Sequence, residues 1–188
     1  MKTKLTLLFL TLILGACSTG GSTPQPFSAQ IPTETSSPPT QDASSSPTDC
    51  GYQWAYQPLP DLTAQFEGMI QSIIPNAAAQ ADAFGEKCVA ADGRVVFFSA
   101  METDFYVTVT VENLDDYETF GNWLYEVMLV VDGIPPKDLA GPQAGFVEFR
   151  FEKSATEAIA FRVPIQGYFE TAGEKTGEEL LQLFYTAP

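Results

Sequence analysis

The chain of 188 residues contains no histidine. Without an imidazole there is no His-based activation of a serine or cysteine, no ordinary general base near neutral pH, and no access to the commonest transition-metal ligand. Cationic side chains are scarce as well: 9 Lys and Arg stand against 24 Asp and Glu, a formal charge of −15. A surface of that sign repels phosphate backbones and anionic head groups, which excludes nucleic acid as a partner. The three cysteines, Cys17, Cys50 and Cys88, never approach CxxC spacing, so neither a zinc ribbon nor a thioredoxin-type redox pair is present. There is no Walker loop, no GxGxxG and no GxSxG elbow. No apolar run reaches the roughly 20 residues of a membrane-spanning helix. These absences remove most enzyme classes, and no cofactor is expected.

What is present begins with two positive residues, Lys2 and Lys4, followed by an apolar stretch over residues 5–14. That length suits the hydrophobic region of a signal peptide. Small residues, Gly15 and Ala16, then precede Cys17. Leu14-Gly15-Ala16-Cys17 resembles the lipobox of bacterial lipoproteins, and the resemblance is confined to residues 1–20. It implies a signal peptide over residues 1–16, a diacylglycerol on the sulfur of Cys17, and a second acylation (palmitate) on the amino group freed by cleavage. Two or three acyl chains hold a protein firmly on a membrane where one would not. The implied location is the cell membrane or outer membrane, lipid-anchored, on the extracytoplasmic side. By the sorting rule of that family, Ser18 rather than Asp permits passage to an outer membrane where the cell has one. With Lys2 and Lys4 cut away, seven basic residues remain against 24 acidic ones.

Residues 17–49 are expected to form the lipid anchor and a disordered tether. Twenty-two of residues 18–49 are Ser, Thr, Pro or Gly, and six of them are proline. Such a segment buries too little apolar surface to offset chain entropy. A flexible chain of this length spans roughly 30 Å. Residues 50–188 remain as one globular domain, large enough for a real core. With Cys17 committed to lipid by the resemblance, an even pair of cysteines is left in an exported protein. Cys50 and Cys88 are therefore expected to form a disulfide, worth at most ~4 kcal/mol in the chain-entropy account.

Within residues 50–188, Tyr52, Trp54 and Tyr56 alternate with other residues, which reads as an extended segment forming an apolar lid over one core edge. Leu62, Phe66, Met69, Ile70 and Ile73 recur at helical spacing and predict a helix over 61–74. Residues 77–89 predict a strand. Residues 94–111 alternate strongly, with Phe105, Val107, Val109 and Val111 on one face, and are long enough to require a bend near 99–104. A second helix follows Asp115, which with Glu118 forms an acidic capping box. Its apolar stripe is Phe120, Leu124, Val127 and Val131. Strands are expected over 145–152 and 157–164, with charges pairing across them, and a last helix over 177–185. The fold class is α+β: a two-layer sandwich in the order αββαββα, with a mostly antiparallel sheet of about four strands and helices on one face.

The remaining chemistry is that of carboxylates. Glu102 and Asp104 lie two apart on a predicted strand and so share a face. Such a pair either binds a cation or serves as acid and base, or it is a bulged, solvated piece of strand. No metal site is expected. The combined reading is a membrane-anchored lipoprotein with a non-enzymatic binding or interaction domain of the cell envelope, whose partner is an envelope protein. The alternative is a small-ligand or cation-binding module, or less readily a carboxylate-based hydrolase. The deciding geometry is whether Glu102 and Asp104 sit in a concave pocket or on an open sheet face.

Overall fold

The structure is a computed structural model, and it describes residues 50–186. These lie within one compact unit. The expected signal segment, Cys17 and the expected tether over 17–49 lie outside the described residues.

Strand β1 (Cys50–Pro58) leads into helix α1 (Pro60–Ile73), then β2 (Ala78–Ala90), β3 (Val95–Thr110) and helix α2 (Tyr117–Asp132). A 3-10 turn (Pro136–Asp138) precedes β4 (Gln143–Glu152), β5 (Ala158–Pro164), α3 (Ile165–Thr171) and α4 (Gly177–Leu181). The five strands lie side by side in chain order. Three pairs are antiparallel, and β3–β4 is parallel. A parallel pair needs a long crossover, and α2 supplies it.

The α+β class is as expected, but the order and count are not. The described residues run βαββαββαα with five strands rather than αββαββα with four. The extra strand is β1, which pairs residue for residue with β2 from Cys50 opposite Ala90 to Pro58 opposite Asp82. It is no lid over the core. The extra helix α3 and the shorter α4 divide the region where a single last helix was expected.

The core lies between the helices and one face of the sheet. Ala79, Ala81, Phe105, Val107, Val109, Val147, Phe149, Phe151 and Val163 meet Leu62, Phe66 and Ile70 of α1 and Phe120, Leu124, Val127 and Val131 of α2. The alanines of β2 bias the sequence towards helix, yet their small size lets α1 approach closely. The Thr63 hydroxyl accepts from the Ala81 N–H at 3.0 Å and lies 3.2 Å from the Ala81 carbonyl, to which it donates. Phe66 packs on Phe105 at 4.8 Å between ring centres, and Phe120 stacks on Phe151 at 4.1 Å. The β2–β3 register shifts at Met101 and again at Val96, and the β3–β4 register shifts at Asp104, where β4 carries the extra residue; the shifts at Met101 and Asp104 fall within the segment where a bend was expected.

The cap of α2 differs from expectation. Asp116, not Asp115, occupies the cap, and its Oδ1 accepts from the Thr119 N–H at 3.3 Å. Glu118 instead accepts from the Glu178 N–H at 3.0 Å, and Asn122 Oδ1 accepts from the Gly177 N–H at 3.0 Å. This ties α4 to α2, and the two backbones meet at a pair of glycines. A Cβ on Gly121 would fall on the Gly177 carbonyl, and Gly177 itself has φ +55. No helix among the described residues is long and apolar enough to cross a membrane.

Gly121→Ala is expected to cost about 1–3 kcal/mol by overpacking. Gly68→Ala, on an open face of α1 with nothing within 4 Å, should gain up to about 1 kcal/mol from helix propensity. Urea denaturation of the two variants checks the contrast.

Candidate functional site

The main core cluster lies on the helical side of the sheet, so among the described residues the other face is left to its own side chains. Pairing registers place them in rows. Tyr52 stands beside Cys88 and Phe97, Trp54 beside Glu86 and Ser99, and Tyr56 beside Phe84 and Glu102. The next rows hold Asp82 with Asp104, and Tyr106 with Glu148 and Arg162.

The rings stack along these rows. Trp54 lies 5.4 Å from Phe84, Tyr56 5.0 Å from Phe84, and Tyr52 6.2 Å from Phe97. Tyr106 meets Phe146 edge-on at 5.8 Å. The result is an aromatic shelf, much of it in water: Tyr52 is 62% exposed, Trp54 59%, Tyr56 49% and Phe97 46%. The Cys50–Cys88 disulfide, as expected from sequence, fixes one end of it with 5.5 Å between the Cα atoms.

Glu102 and Asp104 share this face but differ in setting. Glu102 is half-buried, whereas Asp104 is fully buried at the β3–β4 bulge. Asp104 Oδ1 accepts from the Phe146 N–H at 3.2 Å, and Oδ2 has no hydrogen-bond partner among the described residues. Gly145 makes room for the carboxylate, since a Cβ there would collide with Oδ1. Burial pushes the Asp104 carboxyl up to about 6. The Phe146 N–H opposes this, the Glu102 charge adds to it, Arg162 opposes and Asp82 adds. Asp82, directly opposite on β2, is also raised by burial. Burial likewise raises the Tyr106 phenol, with Tyr56 adding to the effect. Among the described residues no group of three or more His, Cys, Asp or Glu side chains is arranged to hold a metal ion.

One cation is already seated on the shelf. The Arg162 guanidinium carbon lies 4.2 Å from the centre of the Phe146 ring, and its Nε donates to Glu148 at 2.8 Å. This is the cross-strand charge pairing expected from sequence. Beside it, at the part of β2 that β1 does not cover, opens a cavity of about 450 Å³ lined by Thr63, Glu67, Gln80, Tyr106, Glu148 and Arg150. Neither Glu102 nor Asp104 lines it. The carboxylate pair therefore belongs to the sheet face, with Asp104 as its floor.

Sequence reasoning singled out the carboxylates and missed most of the rings around them. Phe84, Phe97 and Phe146 carry no signal of exposure. The alternation of Tyr52, Trp54 and Tyr56 was visible, but nothing in it told which side faces water. Comparison with protein-family models, with curated proteins and with solved structures finds no match.

Asp104 has a folded pKa above its unfolded value, so the native state holds the extra proton between about pH 4 and pH 6. Stability contributed at this site is present at low pH and is lost as pH rises through that window. Asp104→Asn should remove this dependence. The wild type is expected to lose on the order of 2–3 kcal/mol relative to the variant between about pH 4 and pH 7, measured by urea denaturation of both across that range.

Proposed function

We propose that the chain is a lipid-anchored extracytoplasmic lipoprotein, held through Cys17, and that residues 50–188 form a non-enzymatic binding domain of the cell envelope. Its ligand is a cationic segment of an envelope protein, received on the aromatic shelf. The exposure of Tyr52, Trp54, Tyr56 and Phe97 on the helix-free face carries this reading. Monomeric proteins seldom leave contiguous apolar surface in water without a use for it.

Charge selects the partner. Glu86 and Glu102 stand between the rings, in a chain with 24 acidic residues against 9 basic ones. Aromatic faces attract ammonium and guanidinium groups, by about 0.5–2 kcal/mol each. Arg162 on Phe146 is an internal instance of that contact. A small-ligand module is the second reading, favoured by the polar cavity beside Tyr106 and Glu148.

The test uses two photo-reactive variants in intact cells, one with the cross-linker replacing Phe97 on the shelf and one replacing Leu129 on the helical side. A reproducible, basic partner is expected from the first and not the second. In solution, a Lys-rich extended peptide should bind the oxidised domain and weaken as salt is raised. Trp54→Ala with Tyr56→Ala should lower its affinity at least about tenfold, or about 1.4 kcal/mol. Equal adducts from both faces, or peptide binding indifferent to the rings, would reject the shelf as the site.

A further inference from the structure

Among the described residues nothing guards the edge of the sheet formed by β1. Exposed edge strands are normally blunted by charge, bulges, shortness or a covering element. β1 runs for nine residues, CGYQWAYQP, with no charged side chain, and its register with β2 has no bulge. Every other strand carries charge: Asp82, Glu86 and Lys87 on β2, Glu102 and Asp104 on β3, Glu148, Arg150 and Glu152 on β4, and Arg162 on β5. The opposite edge, β5, is seven residues long and has Arg162 and Pro164. The disulfide between Cys50 and Cys88 holds β1 in place at its start.

The direction of its free hydrogen-bonding groups follows from one observed contact. The Leu59 N–H, just beyond β1, donates to the Ala81 carbonyl of β2 at 3.1 Å. Backbone groups alternate sides along a strand, so Gly51, Gln53, Ala55 and Gln57 direct theirs to β2. Tyr52, Trp54 and Tyr56 direct theirs outward. Pro58 falls in the outward class, where a missing N–H costs the sheet nothing.

We infer that β1 pairs with β1 of a second copy of this chain, antiparallel about a twofold axis through Trp54. The sequence around that axis, Tyr52-Gln53-Trp54-Ala55-Tyr56, is nearly palindromic in its rings. In this register Trp54 faces Trp54 of the other copy, and Tyr52 faces its Tyr56. All are outward-directed positions, so each facing pair exchanges two backbone hydrogen bonds. A shift by one residue would bring inward-directed groups to the edge and break the ladder. Such an isologous contact is self-closing and yields a dimer rather than a fibre. The uncharged edge is also where two strongly acidic copies repel each other least. Each ring has roughly 100 Å² to bury, which makes a small interface, below the ~1,200 Å² of stable complexes. The dimer therefore forms at high local concentration, such as that of copies held side by side on one membrane. The two aromatic shelves then join into one continuous face.

The test is sedimentation of the oxidised unit Ala43–Pro188 from roughly micromolar to millimolar concentration, without any peptide, so that its outcome is independent of the cationic-segment reading. The weight-average mass is expected to rise towards twice the monomer. Amide exchange at Tyr52, Trp54 and Tyr56 should slow with concentration, while Gln53 and Ala55 do not change. Trp54→Lys, which sets like charges face to face on the axis, should stay monomeric with an unaltered melting curve. Glu86→Lys, one strand inward on the same face, should still dimerise. A monomer throughout, or a dimer that survives Trp54→Lys without protection of those three amides, overturns the proposal.

Discussion

Helices cover only one side of this sheet, and that asymmetry governs the rest of the molecule. On the covered side, β2 offers alanines, so α1 comes near enough for Thr63 to satisfy the Ala81 backbone. On the other side no helix among the described residues excludes water. Side chains on the strands must shield each other, and they do so with rings: Tyr56 packs on Phe84 and Tyr106 on Phe146, whose N–H binds the buried Asp104. A carboxyl at that depth is held at the cost of a half-satisfied charge, and its proton affinity rises accordingly. Of these rings Tyr56 also reaches outward and remains half in water, beside Tyr52, Trp54 and Phe97. Tyr56 thus joins the structural cover to the exposed surface.

Proximity of like charges gives this face its electrical character. Asp82 and Asp104 stand opposite one another across two antiparallel strands, an arrangement that disfavours double ionisation. Arg162 moderates it from β5, and is itself held by Glu148 and the ring of Phe146. Positive charge is therefore already part of how the surface is neutralised.

Much of the architecture was legible in the alternation of apolar residues. The stripe Phe120, Leu124, Val127 and Val131 identified α2 and its buried side. Phe105, Val107 and Val109 identified the core face of β3, and its excess length revealed the bend. The disulfide followed from pairing logic. The role of β1 was not legible: its rings alternate just as buried ones would, and only the position of α1, docked on β2 beyond the end of β1, determines that they remain outside. The swap of Asp115 for Asp116 as cap was hidden because both are acidic neighbours, and the choice depends on where α4 returns to claim Glu118. Asp104 was singled out for its spacing with Glu102, but its burial comes from a bulge against β4, a partner 42 residues away.

The disulfide also decides how the domain answers to force. Tension applied at Cys50, the first residue of β1, would by default unzip β1 from β2 one hydrogen-bonded pair at a time. The covalent link from Cys50 to Cys88 passes that load directly into β2, an inner strand paired on both flanks. β1 is thereby spared mechanical work. A strand that would otherwise be the first to peel away under tension can keep its outer edge straight and its rings in register while the domain is pulled.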